Sequence, residues 1–287
     1  MPPLREIRDH MQSIESIAKV VRALEVVSTA TSHRLQERVE RTQSYATRSW
    51  ELLSHLAAAD DAVLAQHVAL KGHGQSGPTG LLLFSSNRGM AGGYDANVIA
   101  KALETIESAA NGVTLITIGA RGHEAMLRRG LEIVADFSLL DERSELEDAT
   151  PLASLALEGY EQRRFERVAL VYTEFHKGAL LRARVRQILP VQVAPVSRVR
   201  QYIIEPDATQ LLEMLLPRII RFQIHAALLE SFAAEHASRA VALRMATNNA
   251  DEVILHLTQD YNKGRQQAVT EEMLDIHSGA AALERRR

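Results

Sequence analysis

The chain has no cysteine among its 287 residues. That excludes disulfides, thiolate catalysis and Cys-ligated zinc, and it fits a reducing compartment. It also lacks a charge excess. The formal net charge is −3, so no global basic field points to nucleic acid. No apolar run approaches the roughly 20 residues needed to cross a bilayer. The start, MPPLREIRDHMQSIESIAKV, has no apolar signal-peptide core and carries acids that a transit peptide avoids. The mature protein is expected to begin near Met1 and to stay inside a cell or organelle. Glycine and proline are missing from two long stretches, Leu4 to Lys71 and Arg218 to Lys263. Without these breakers both ends read as long helices.

What is present agrees. Hydrophobic residues make up 46% and charged residues 24%, the balance of a soluble globular protein. In the first stretch Leu4, Ile7, Met11, Ile14, Ile17, Val21, Leu24 and Val27 recur every three or four residues. A helix from Leu4 to about Ala57 would run about 80 Å at ~1.5 Å per residue, and propensity alone does not hold such a helix. The second stretch offers a partner stripe, Ile220, Ile224, Ala227, Leu228, Ala234, Ala237, Val241 and Met245. Its alanines allow close approach. An intramolecular antiparallel pair is the sharper reading; a helical bundle or a dimeric coiled coil is the plainer one. The heptad breaks near Glu25 and Thr31, where the seam should lose regularity.

The middle of the chain holds most of the breakers and alternates strand with helix. GLLLFSS (80–86), VTLITIG (113–119), EIVADFS (132–138) and RVALVYTEF (167–175) read as strands. Helices are expected near 96–110, 120–130 and 150–162. That alternation predicts a parallel sheet covered by helices. LRARVRQILP (181–190) and VRQYIIEPD (199–207) alternate in polarity and read as an antiparallel edge. The fold expected is α/β: a long antiparallel coiled coil with an inserted Rossmann-like domain. It divides into an N-terminal helix (1–72), an α/β domain (73–206) and a C-terminal helix (207–287).

The stretch SSNRGMAGGYDAN, between a strand and a helix, stands where many proteins cradle a phosphate. Gly89, Gly92 and Gly93 do not make the Rossmann Gly-x-Gly-x-x-Gly. Tyr94 and Asp95 replace the Lys-Ser/Thr of a P-loop, and an acid is a poor neighbour for a phosphate. Arg88 could meet an anion, but a tight turn explains the glycines better. The 11 histidines form no ligand set; His55, His67 and His73 read as solvated loop residues. GHEAM (122–126) lacks the second histidine of a zincin helix, and no serine sits in a nucleophile elbow. Adjacent acids, Asp60-Asp61 and Glu271-Glu272, read as charged surface.

Four segments together resemble the gamma subunits of F-type ATP synthases. They are IRDHMQSIESIAKVVRALEVVSTA near the N-terminus, SSNRGMAGGYDANV in the middle, IIEPDATQLLEMLLPR before the last helix, and LLESFAAEHASRAVALRMATNNADEVI with YNKGRQQAVTEEMLDIHSGAAAL at the end. The resemblance spans essentially the whole chain, and its C-terminal block is the most specific part. It implies a central rotor shaft without catalysis or cofactor of its own. The shaft would pass through a ring of alpha and beta subunits, and seat on the epsilon subunit and the membrane-embedded c-ring. It further implies a peripheral location on the cytoplasmic face of the bacterial inner membrane. By the same resemblance, Arg265, Gln266 and Thr270 meet a beta-subunit catch loop. Lys19, Arg22 and Arg34 face acidic beta-subunit levers, and Arg88, Gly89, Gly92 and Gly93 shape the α/β foot.

The sequence departs from that family at Thr31 and His33, where lysine and arginine are usual. Glu25 and Thr29 make the stretch less basic still. These departures fit a divergent branch, a sodium-translocating type among them; the coupling ion, proton or sodium, binds elsewhere. Two rivals stay open on the residues alone. One is an α/β nucleotide-binding enzyme with helical extensions, which measurable nucleotide binding would favour. The other is a coiled-coil scaffold, which a symmetric dimer would favour. The small apolar tail SGAAAL (278–283) reads equally as a bearing or a frayed end.

Overall fold

The computed structural model describes residues 3–57, 67–74, 77–175, 181–192 and 207–284. The second expected edge segment, 199–207, falls outside them apart from Asp207, as do Asp60 and Asp61. So do the side chains of the 278–283 tail, whose backbone is helical.

The order of elements is α1 (Leu4–Ala57), α2 (Val68–Lys71), β1 (Thr79–Phe84), α3 (Tyr94–Ser108), β2 (Val113–Ile118), α4 (Ala120–Leu127), β3 (Ile133–Asp136), α5 (Thr150–Glu161), β4 (Arg167–Glu174), β5 (Arg182–Leu189) and α6 (Ala208–Glu284). Helix α1 spans the range its periodicity predicts. Helix α6 begins ten residues before Arg218 and carries Pro217 inside it. Pro217 lies on the solvent side, and so does Glu213, whose carbonyl loses its partner because proline has no N–H. Water can take that carbonyl, so the helix continues where a breaker was expected to start it.

The chain forms two compact units, one of residues 1–27 with 240–287 and one of residues 28–239. In the first, α1 and α6 run antiparallel. Thr258 Oγ1 donates to Met11 Sδ at 3.5 Å, Arg22 bonds Asp251, and Arg244 bonds Glu25 at 2.9 Å. At Gly264 a Cβ would come within 3.0 Å of the Leu4 side chain, so the two helices touch closely there. The covered positions keep a heptad on both helices: Ile7, Met11, Ile14, Ala18, Val21 and Glu25 on α1, and Leu243, Thr247, Ala250, Ile254, Leu257, Tyr261 and Gly264 on α6.

This corrects the expected stripes beyond Ile14. Ile17, Leu24 and Val27 are exposed; the seam keeps Val21 of the expected stripe and takes Ala18 and Glu25 in place of the others. On α6 the expected stripe is buried as far as Ala234, while Val241 and Met245 are exposed and Leu243 and Thr247 take the inside. Small and polar residues on the seam let the backbones approach. The loss of regularity expected near Glu25 does not occur: the heptad spacing runs through it, and Glu25 pairs there with Arg244.

The second unit is a sheet of order β3-β2-β1-β4-β5 between two helical layers. Strands β1 to β4 are parallel, as the alternation predicts, and β5 is antiparallel to β4. Alternate residues of the central strands face opposite layers. Leu81, Leu83, Leu115 and Val171 pack on Val98 and Ala102 of α3 and Met126 of α4. Leu82, Phe84, Ile116, Val168 and Leu170 pack on α5, on the α1 segment with Leu35 and Leu53, and on the α6 segment from Leu212 to Ala233. Here too α1 and α6 run antiparallel: Ser32 Oγ donates to the Ala233 carbonyl at 3.4 Å, while further along α1 the Tyr45 ring lies 4.2 Å from that of Phe222, which precedes Ala233 in α6.

Candidate functional site

Helicity places the residues implied to meet a partner. Gln266 and Thr270 are one turn apart on an exposed part of α6, and Arg265 is exposed beside them. Thr270 Oγ1 donates back to the Gln266 carbonyl at 2.8 Å, which fixes its rotamer. Lys19 and Arg22 sit three residues apart on α1, both exposed. Arg22 is engaged: its Nη2 donates to both Asp251 carboxylate oxygens, at 3.0 and 3.2 Å. Both partners are more than half exposed, so the pair contributes at most about 1 kcal/mol. Arg34 is exposed on α1 in the second unit, whereas Lys19 and Arg22 belong to the first.

The Arg88–Gly93 loop closes over α6. Gly92 has φ +57° and Met90 φ +64°, so the turn needs left-handed backbone at two positions. Gly89 and Gly93 have room for a side chain: a Cβ at Gly89 meets nothing within 4 Å, and at Gly93 only Asn97 at 3.6 Å. Asp95, in the first turn of α3, does what a phosphate would do elsewhere. Its carboxylate accepts from Ser86 N at 2.9 Å and lies 2.6 Å from Ser86 Oγ. From below, Arg239 of α6 donates to the carbonyls of Arg88 (3.0 Å) and Gly89 (3.3 Å), and Ser238 Oγ donates to that of Ala91 (2.6 Å).

Sequence reasoning missed this lower half. Arg239 is held by Glu235, one turn back, at 2.7 Å, and both side chains are about nine-tenths buried. Burial pushes the Glu235 carboxyl up to about 7; the Arg239 guanidinium opposes that, and Asp95 and Glu142 add to it. Tyr94 lies beside it, its hydroxyl raised well above 10 by burial and then by Glu235. Burial and the neighbouring Arg239 lower His236 to about 4. The signal was present as acid and base at i,i+4 in an alanine-rich helix, but a solvated face gives the same pattern.

A family model described as ATP synthase matches residues 3–283. The ATP synthase gamma chain of Chloroflexus aurantiacus is 34% identical, covering 99% of both chains. That of Xylella fastidiosa is 34% identical over 97% of this chain and 99% of its own. The chain belongs to the ATP synthase gamma chain family. Among solved structures, a chain of the Euglena gracilis mitochondrial ATP synthase in rotational state 3 matches the fold. Its TM-score is 0.65 at 17% identity, covering 98% of this chain and 94% of that one. A chain of the Tetrahymena thermophila central stalk and c-ring assembly matches with TM-score 0.59 at 16% identity, over 79% and 99%.

The gamma-chain fold fills the crevice that its own sheet would open. Strand order reverses between β1 and β4, the point where a doubly wound sheet usually takes its ligand. Beyond those strands Ala91, Tyr94 and Phe175 pack against Ala234 of α6 with Leu181. Protein side chains therefore hold that place. Among the described residues no group of three or more His, Cys, Asp or Glu could hold a metal.

The histidines read as solvated are engaged. His73 Nε2 lies 2.7 Å from the Tyr160 carbonyl with its ring 4.6 Å from the tyrosine ring, and His67 Nδ1 accepts from Ala69 N at 3.2 Å. His55 has its Nδ1 shielded from solvent near the end of α1. His67 and His73 are held where residues 67–74 lie against α5, whose Tyr160 Oη donates to the Val68 carbonyl at 2.8 Å.

Proposed function

We propose that this gamma-family chain is the central rotor shaft of an F-type ATP synthase, a non-catalytic subunit that couples ion-driven rotation to chemistry in an alpha/beta ring. The observation that carries this is the outward face of the first unit. Ile17, Val20 and Val27 of α1 and Val241, Met245 and Leu255 of α6 are 56–63% exposed. The seam of the helix pair is already filled by its own heptad positions, so these large apolar residues are left facing out. Apolar surface in water costs roughly 25 cal/mol per Å², and contiguous patches of it mark interaction surfaces. A surrounding apolar sleeve is the partner such a face fits.

The physical role follows from asymmetry. A partner shifts a conformational equilibrium only through differential contact with its states. The two helices present different side chains around the pair: Arg22 with Asp251 at one level, Glu25 with Arg244 at another. Each orientation would therefore favour a different beta-subunit conformation, and rotation would drive each site in turn. In this reading residues 1–72 and 207–287 form the shaft and 73–206 the foot, which would seat on the epsilon subunit and c-ring. Arg265, Gln266 and Thr270 meet a beta-subunit loop, and Lys19, Arg22 and Arg34 its acidic levers. Arg88 to Gly93 form a structural turn. No helix among the described residues is long and apolar enough to cross a membrane. Attachment would be peripheral, through the membrane sector, at the cytoplasmic face of a bacterial inner membrane.

Truncating α6 before Tyr261 in the assembled complex tests the reading. ATP-driven ion pumping should fall to background while the ring still hydrolyses ATP. Pumping at the parent level would refute it. Co-purification should also return alpha and beta subunits in threefold excess over this chain.

A further inference from the structure

A cleft between α5 and α6 in the second unit has no part in the rotor reading. It has a volume of about 360 Å³ and a floor of Ala153 and Leu157. Its walls carry Arg218 and Arg221 of α6, with Thr150 and Ser154 of α5. The hydroxyl residues are one turn apart on their helix, and the arginines nearly one turn apart on theirs. Arg221 Nη1 donates to Thr150 Oγ1 at 3.4 Å. Among the described residues no carboxylate oxygen lies within 4.0 Å of either guanidinium, and no carboxylate lines the cleft.

Among the described residues neither arginine has the acid partner that several others of this chain have. Its net charge is −3, and Arg22, Arg38, Arg184, Arg239 and Arg244 are each paired with an acid. Two like charges on one helix face, nearly one turn apart, repel. An anion placed between them removes that repulsion. Guanidinium groups present several N–H donors in a planar fork that matches phosphate oxygens, and hydroxyls complete a tetrahedral anion's shell.

We infer that this cleft binds a phosphate group, free or on a lipid headgroup, held by Arg218 and Arg221 and oriented by Thr150 and Ser154. The test uses the full chain at low ionic strength. Inorganic phosphate is titrated and followed by phosphorus NMR line width. In parallel, flotation is measured with phosphatidylcholine vesicles, with and without phosphatidic acid. The Arg218→Gln/Arg221→Gln variant should bind at least about tenfold more weakly, as expected when charge-assisted bonds are lost. Arg128→Gln, on α4, should bind like the parent. Phosphate binding lost in the double variant supports a free-phosphate site. Flotation that requires phosphatidic acid and is lost in the double variant, without binding of free phosphate, supports a headgroup site. Equal binding by parent and double variant, or none by the parent to either probe, overturns the inference. If the double variant loses its helical signal, Arg218→Gln alone, at an exposed position, repeats the comparison.

Discussion

Replacing Glu235 by glutamine keeps the side chain's shape and removes its charge. Glu235 is 8% exposed and sits 2.7 Å from Arg239, and burial carries its carboxyl from 4.5 to about 7. A carboxyl that is harder to ionise in the folded chain binds more protons there than in the unfolded chain. Stability from this group is therefore full below about 4.5, is lost as pH rises to about 7, and is level above that. The loss amounts to about 3 kcal/mol at ~1.4 kcal/mol per unit. Glutamine mimics the protonated form at every pH. Glu235→Gln should match its parent near pH 4.5 and exceed it by about 3 kcal/mol at pH 8.

The parent curve alone would hide this. His236, lowered to about 4, contributes stability that grows with pH from about 4 to 6.5, the opposite sense. Both proteins carry that histidine, so their difference isolates Glu235. Urea unfolding can be followed by Trp50, the one tryptophan, which packs against the second unit's core. The expected gap at pH 8 is a midpoint shift of about 1 M or more. A difference that is constant from pH 4.5 to 8, or that turns against the variant as pH rises, would refute the reasoning. It would mean the Arg239 bond outweighs the cost of burying the charge.

Gly159→Ala would set a Cβ 2.1 Å from the Phe165 ring, itself packed into the core, so overpacking should cost about 1–3 kcal/mol of urea stability. A loss under ~0.5 kcal/mol would show that the ring moves aside freely. For Glu25 and Arg244 of the first unit, a double-mutant cycle to alanine should return about 0.2–1 kcal/mol and shrink in 1 M salt, because Arg244 is 67% exposed. A salt-independent coupling above ~2 kcal/mol would contradict a solvent-screened pair.

Much of the architecture was legible because breakers and periodicity carry it. The Gly- and Pro-free stretch marked where α1 begins but ran past its end at Ala57, and short Val/Ile/Leu runs marked β1, β2 and β4, which are covered on both faces and tolerate little else. What resisted reading was which apolar residues face inward. Ile17, Leu24 and Val27 fit a three-or-four spacing as well as the true seam does, and they are larger and more apolar than Ala18 and Glu25. Hydrophobic periodicity assumes that the only apolar environment is the chain's own core. Where a second apolar surface faces outward, the pattern gives two stripes and no means of ranking them.

The same limit explains the loop. Gly89 and Gly93 caught attention because clustered glycines resemble a ligand turn, yet neither is sterically required; Gly92 and Met90 carry the left-handed backbone. Its grip comes from Glu235, Ser238 and Arg239, some 145 residues away in sequence. In the sequence that pair looks like a solvated ion pair on a helix face. Only when α6 packs against the end of β1 does it become a buried pair fastening a loop. The phosphate cradle the fold could have built at this point is instead a joint between backbone carbonyls and a helix. Asp95 supplies the negative charge at the start of α3, and a bound nucleotide there would have to displace both.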